Sequence, residues 1–337
     1  MTTSSPVFDL ALLPSASERE ELIRDVQAGL HSRPRSLKPW IFYDELGSEL
    51  FERITTLPEY YPARIERSLL ESHADAIVAS ACSGSQRLRI IELGAGTASK
   101  TCLLLNAAAR RRVDVVYMPL DVSADALEIA CRHVECTFPR VLVEPLVVNY
   151  VNSPPYLDEF DGPTLTLYLG SSIGNFQPEE SRMILRNLGS QLRGEDALLL
   201  GTDLAKDKRT LVAAYDDDEG VTAEFNLNIL YRLNRELGAD FDPDGFRHCV
   251  RWNPVESRIE MHLESVRDQH VQIADAELEL YFETGETIHT ENSYKFTTEL
   301  LGTLLLDSGF AIQHTWRDTR EWYSLTLSRR RDQAERY

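Results

Sequence analysis

Apolar positions along this chain follow a helical spacing first, then short buried runs, then strict alternation. Residues 17–30, "SEREELIRDVQAGL", predict a helix that Gly29 begins to close. A second helical stretch carries its period on Leu46, Leu50, Phe51 and Ile54 and is punctuated by Pro58 and Pro62. From residue 87 the texture becomes strand, helix, strand. "LRIIELG" is a short apolar run ending in Gly, "SKTCLLLNAAAR" a helix, "VDVVYMPLDVS" a second strand and "ADALEIACRHVECTF" a second helix. "RVLVEPLVVNY", "PTLTLYLGSSIGNF" and "DALLLGTDLA" supply three more strands, with the helix "PEESRMILRNLGSQL" before the last. Strands alternating with helices of this length predict a parallel sheet covered on both faces.

The pattern breaks at residue 216. A helix over "DDDEGVTAEFNLNILYRLNRELGADF" is expected to bury Phe225, Ile229, Leu230 and Leu233. Alternating runs follow at "FRHCVRWN", "RIEMHLESVRD" and "HVQIADAELELYF", a pattern suited to antiparallel pairing. "NSYKFTTELLGTLLLDSGF" returns to a helix, and residues 311–330 read as a closing hairpin. The fold class expected is therefore α/β, with a second, α+β piece inserted. Its division is a 1–60 segment serving the second piece, an α/β domain at 61–215 and 296–330, and an insertion at 216–295.

Composition narrows the partners. The formal charge of -19 argues against nucleic acid and anionic membranes, which need basic patches. No run approaches the 18 apolar residues that a spanning helix needs, and the N-terminus lacks the basic head and apolar core of a signal peptide. The five cysteines are odd in number and form no C-x-x-C pair, which fits reduced thiols in a cytoplasmic protein.

Candidate chemistry gathers at two places. "ELGAGTASKT" ends the first strand with Gly94 and Gly96, a tight turn at the mouth of a sheet. Ser99 stands where a dinucleotide fingerprint has its third glycine, so a nucleoside without pyrophosphate fits better than NAD. Asp121, at the end of the second strand, faces the same crevice and can accept both ribose hydroxyls; its bland role is to cap the next turn. The second place is "ETIHTENSYKF". With period two, Glu291 and Ser293 fall on one side, with His289 and Lys295 in line. A carboxylate and a hydroxyl pointing the same way could hold a group that donates hydrogen bonds. Elsewhere, the acidic run at 216–219 reads as a solvated face. His262, His289 and His314 lack ligand spacing, Cys131 and His133 of "CRHVEC" do not share a helix face, and "GSSIG" has no Asp and His in hydrolase order. No metal is expected.

Several blocks together, "FYDELGSELFERITTLPEYYPAR", "YLGSSIGNF", "GTDLAKD", "AYDDDEGVTAEFN" and "TENSYKF", resemble the L-histidine Nα-methyltransferases of ergothioneine biosynthesis. These are class I S-adenosylmethionine-dependent methyltransferases, and "ELGAGTASKT" with "LDVS" is similar to that wider class. The resemblance runs from about residue 19 to residue 328. It implies a Rossmann-like methyltransferase sheet, S-adenosylmethionine as methyl donor, and trimethylation of L-histidine to hercynine.

By the same resemblance, Gly94, Lys100 and Asp121 match cofactor positions. Val148, Asn149 and Tyr150 replace the family's Gly-Asp-Phe, so that Asn149 has only an amide carbonyl to offer the adenine amine and weaker cofactor binding is expected. Tyr60, Asn175, Tyr215, Glu291 and Ser293 match substrate positions: Asn175 and Tyr215 for the α-carboxylate, Glu291 and Ser293 for the imidazole, with Met261 as an apolar wall. Tyr43 and Gly170 match groups near the amine, with no dedicated base. A monomer is expected. Two rival readings are an Nα-methyltransferase of tryptophan or another aromatic amino acid, and a non-catalytic binder of amino acid or cofactor.

Overall fold

The computed structural model describes residues 16–149, 157 and 159–331. In chain order the N-terminal part comprises α1 (Ala16–His31), β1 (Arg35–Ser36), α2 (Glu45–Thr56) and α3 (Tyr61–Cys82). Then come β2 (Arg87–Leu93), α4 (Thr101–Arg110), β3 (Asp114–Asp121), α5 (Ala124–Thr137), β4 (Leu142–Val143) and β5 (Leu146–Val147). They are followed by β6 (Thr164–Tyr168), α6 (Pro178–Gln191), β7 (Ala197–Asp203), α7 (Lys208–Ala213) and α8 (Val221–Leu237). Strands β8 (Phe246–Asn253), β9 (Arg258–Ser265), β10 (Gln269–Ile273), β11 (Leu278–Phe282) and β12 (Thr287–Tyr294) come next. The chain ends with α9 (Thr298–Asp307), β13 (Phe310–Arg317) and β14 (Tyr323–Arg330).

The main sheet runs β13-β14-β7-β6-β2-β3-β4, with β5 also paired to β3. β2, β3, β4, β5, β6 and β7 pair in parallel, and the β13–β14 hairpin adds on antiparallel. Helices cover both faces, so β7, "ALLLGTD", is buried at every residue. The chain moves outward from β2 through β3 and β4, then returns to β6 on the other side. The topological switch lies between β2 and β6, and Gly94 and Gly170 sit just beyond the carboxyl ends of those strands. Ligands of open α/β sheets bind in that crevice.

A second sheet, β1-β12-β9-β8, packs against α8. Phe225, Ile229, Leu230 and Leu233 of α8 are buried as the helical period anticipates. Asp44 caps α2 by accepting from the Gly47 N–H at 2.7 Å, and the same carboxylate accepts from Asn228 of α8 at 2.7 Å. One residue thus starts α2 and fixes it to α8.

The structure departs from the sequence expectation at six places. Asn292–Tyr294, expected within the last helix, end β12, and α9 begins at Thr298 because Thr297 caps it by accepting from the Leu300 N–H. Pro145, which has no N–H to give a ladder, splits the third strand into β4 and β5. The fourth stops at Tyr168, and Ser172–Asn175 forms a 3-10 turn instead. Residues 270–282 fold back at Ala274–Ala276 into the β10–β11 hairpin, Glu277 taking φ +50. The helix expected from residue 216 starts at Val221, because Asp217 accepts from the N–H groups of Val221 and Thr222 at 2.9 and 2.8 Å. The acidic run is therefore partly a helix cap. Lastly, β12 carries a bulge. His289 pairs with His262 and Glu291 with Met261, leaving Thr290 as the extra residue. His289 consequently turns to the face opposite Glu291, beside His262 at 5.1 Å between ring centroids. Its expected alignment with Glu291 and Ser293 is incorrect; Lys295 keeps its alignment.

Candidate active site

Gly94 (φ +70) and Gly96 (φ +50) shape the turn after β2 in a region that only glycine enters at little cost. The Gly94 N–H bonds to the Leu120 carbonyl at 2.8 Å, which draws the turn onto the end of β3. There the Asp121 carboxylate accepts from the Gly96 N–H at 3.2 Å and the Ser123 N–H at 3.0 Å. Burial raises its pKa above the usual carboxylate value, and the backbone N–H groups of Ser123 and Gly96 offset part of that rise. A carboxylate offers about four acceptor positions, so two stay available for a diol. Asp121 therefore both caps its turn and retains the capacity to bind ribose. This arrangement fits a nucleoside. Glu92, two residues before the turn, lies within the sheet, accepts from the Tyr117 hydroxyl and is pushed by burial up to about 7.

Lys100 closes this turn and reaches inward to Glu66, a carboxylate of α3 with no exposed surface. Glu66 also accepts from the Gly170 N–H at 2.8 Å and from the Tyr323 hydroxyl at 2.7 Å. Gly201 on β7 makes room for it: a Cβ there would lie 2.1 Å from Glu66 Oε1 and 2.7 Å from the Tyr323 hydroxyl. Glu66 thereby ties the glycine turn to the loop after β6.

Beside it sits a second polar cluster. Glu291 is buried and accepts from Asn175 Nδ2 at 3.0 Å. Burial drives its pKa up to about 8, against the pull of the Lys295 ammonium, so the carboxyl is mostly protonated at neutral pH. Ser293, two residues on, lies 2.7 Å from the Tyr215 hydroxyl. Tyr60 stands edge-on to Tyr215 at 6.1 Å. Met261, opposite Glu291 in the ladder, is buried in the apolar core. Tyr43 packs edge-on against Phe51 and Phe225, at 5.7 and 5.8 Å. These site residues come from β9, β12, the segment before α2 and the loops after α2, β6 and α7, and only the tertiary fold gathers them.

Three comparisons bear on this geometry. The family model described as "Histidine-specific methyltransferase, SAM-dependent" matches residues 22–330. The chain belongs to this family. It is 41% identical to the histidine N-alpha-methyltransferase of Mycolicibacterium smegmatis, covering 94% of this chain and 97% of that one. The corresponding enzyme of Mycobacterium tuberculosis is also 41% identical, over 91% of this chain and 94% of its own. A more distant relative, 25% identical over 92% of this chain and 94% of its own, is the 4-dimethylallyltryptophan N-methyltransferase of Claviceps purpurea. Among solved structures, the mitomycin 7-O-methyltransferase MmcR matches over 92% of this chain and 66% of its own, at 15% identity and TM-score 0.45.

Within this histidine-specific methyltransferase the expected substrate residues form two bonded pairs, Asn175 with Glu291 and Tyr215 with Ser293, the last residues of each pair being two apart on β12. The expected cofactor residues Gly94, Lys100 and Asp121 line the switch-point side. Asn149 follows β5, and its amide donates to Glu21 of α1 at 2.9 Å. Tyr150 lies outside the described residues. Four residues escaped the sequence reading: Glu66, Asp203, Lys206 and Tyr323. Glu66 had a visible signal, a carboxylate inside the apolar stripe Ile65, Leu69, Leu70 of a helix. Asp203 had a weaker one, as the acid that ends an unbroken apolar strand.

Proposed function

We infer that the enzyme transfers three methyl groups in succession to the α-amino group of L-histidine, giving the betaine hercynine. Histidine methylation with S-adenosylmethionine is its activity and belongs to ergothioneine biosynthesis. S-adenosylmethionine, when bound, supplies a methyl group already activated on a sulfonium. The protein's task is therefore alignment rather than activation. Gly94, Gly96, Lys100 and Asp121 are the residues proposed to hold the donor, with Asp121 on the ribose and Asn149 near the adenine.

One observation carries the substrate reading. Asn175 bonds to Glu291, and Tyr215 bonds to Ser293. Each contact joins a proposed carboxylate-binding residue to a proposed ring-binding residue, so the two halves of the grip are adjacent, as one small amino acid requires. A protonated Glu291 donates to the unprotonated imidazole nitrogen, and the ring N–H is accepted by Ser293. Phenylalanine or leucine would leave the Glu291 O–H without an acceptor and the remaining Ser293 lone pair without a donor, which is a strong basis for rejection. Met261 supplies the apolar wall, and Tyr43 with the Gly170 carbonyl orients the amine without blocking added methyls. An indole has no acceptor nitrogen, so it leaves the Glu291 O–H without a partner.

The proposed organisation keeps the methyltransferase unit at 61–215 and 296–330, with 1–60 and 216–295 forming a substrate unit that closes over the amino acid. A cytoplasmic monomer is the accompanying proposal. All five cysteines are free, and among the described residues no helix is long and apolar enough to cross a membrane. The deciding test is mass spectrometry of a reaction containing S-adenosylmethionine and all twenty amino acids in competition. Histidine carrying three added methyl groups is the expected product. Methylated tryptophan would transfer the site to the aromatic reading, and absence of product with donor binding intact would support the binder.

A further inference from the structure

Lys295 follows β12 and is 1% exposed. Its Nζ lies 2.8 Å from Asp203 Oδ2, 2.8 Å from Ser293 Oγ and 2.9 Å from the Tyr215 hydroxyl. An ammonium has three N–H donors, and these contacts use all of them. Taking such a charge out of water is costly, so its place against two hydroxyls of the substrate group calls for a reason. Asp203 also accepts from the Tyr61 hydroxyl at 2.8 Å and pairs with Lys206, itself buried. Two ammonium groups thus share one carboxylate, and the cluster holds a net positive charge while both are protonated.

The hydroxyl protons can be counted. Tyr215 and Ser293 each own one, and each oxygen already accepts from Lys295. Their mutual 2.7 Å bond uses one of the two protons. A single O–H is left to point outward, into a site whose nearest buried charge is the Lys295 ammonium. An O–H backed by a cation suits an anionic oxygen, and the substrate's α-carboxylate is the anionic group in reach of Tyr215 on the functional reading above.

We propose that Lys295, anchored by Asp203, is a positioning and specificity residue that selects substrates bearing an α-carboxylate. It commits the Tyr215–Ser293 pair to present one donor outward and one lone pair to the ring, and it supplies the positive potential that the carboxylate meets. This rests on Tyr215 lying at the carboxylate. Asp203 keeps Lys206 when Lys295 is removed, so the buried carboxylate is not left without a cation.

The test is Lys295→Met, with Lys295→Gln as a second variant that keeps N–H donors without charge. Binding of histidine and of histamine, which lacks the carboxylate, is measured by calorimetry on protein saturated with S-adenosylhomocysteine. Affinity for S-adenosylhomocysteine is measured separately. Histidine affinity is expected to fall roughly 30-fold or more in Lys295→Met and less in Lys295→Gln, with S-adenosylhomocysteine affinity unchanged. Histamine should lose clearly less, because it keeps the ring contacts but has no carboxylate to meet the cation. Lys295 also lowers the Glu291 pKa, so the alkaline limb of binding, read with imidazole-4-propionate because it lacks the titrating amine, should move to higher pH in both variants. Equal losses for histidine and histamine would reduce Lys295 to a packing role and overturn the proposal. So would unchanged histidine affinity, or a limb that stays in place. If Lys295→Met does not fold, the same readings on Lys295→Gln decide. Failure of the wild-type protein to bind histidine would instead overturn the functional reading itself.

Discussion

Replacing Glu291 with Gln tests the proton that the site is proposed to hold. Burial pushes this carboxyl up to about 8, so at pH 7 about nine molecules in ten carry the proton, and at pH 9 about one in ten. If neutral imidazole binds the protonated acid, affinity falls by about tenfold between those two pH values from this group alone. The substrate's own amine titrates over part of the same range, so the comparison must remove it. Imidazole-4-propionate keeps ring and carboxylate and lacks the amine. Its affinity for wild-type enzyme, measured by calorimetry with S-adenosylhomocysteine bound, should drop about tenfold from pH 7 to 9. In Glu291→Gln the amide donates an N–H at every pH, so this tenfold step should vanish, leaving only what Lys206, lowered by burial to about 8, contributes through the carboxylate. Parallel curves for the two proteins would refute the assignment of the proton to Glu291. Stability carries the same sign. The folded carboxyl titrates higher than the unfolded one, near 4.3, so its contribution is full below pH 4 and is lost as pH rises through about 8.

Four further outcomes are expected. Glu291→Ala should weaken histidine binding far more than S-adenosylhomocysteine binding, by roughly 30-fold or more, and equal losses in the two titrations would sink the assigned role. Asp121→Ala should do the reverse, raising the dissociation constant of S-adenosylhomocysteine by about tenfold or more while histidine titrations at saturating cofactor product change little. Gly201→Ala drives a methyl group to 2.1 Å from Glu66 Oε1, and thermal unfolding should register a loss of about 1–3 kcal/mol; an unchanged melting temperature would mean that Glu66 moves aside freely. Asn149→Asp brings a second carboxylate to Glu21, whose Oε1 is 2.9 Å from the Asn149 amide, so cofactor affinity should not rise until Glu21→Gln is added; a gain in the single variant would contradict the pairing.

Residues close in sequence and set by local pattern were legible before any fold was known. The parallel strands, the period of α8, the terminal hairpin and the glycine turn before Lys100 follow from spacing and from what Gly and Pro allow. The resemblance carried by "LPEYYP", "GSSIGNF" and "TENSYKF" extended that reading to Tyr60, Asn175, Glu291 and Ser293. Alternation alone also put Lys295 beside Glu291 and Ser293. It misplaced His289, because a bulge adds a residue without altering composition, and what holds Thr290 is Asn226, 64 positions away on α8. The charges that organise the site were the hardest to read. Glu66 meets Lys100, Gly170 and Tyr323, and Asp203 meets Tyr61, Lys206 and Lys295, across separations as large as 257 residues. A buried carboxylate is tolerable only where distant donors converge on it, and convergence is a property of the folded chain. The sequence by itself determined which elements form and which side chains carry chemistry. The tertiary structure decided which cation faces which hydroxyl, and so where the protons of the site lie.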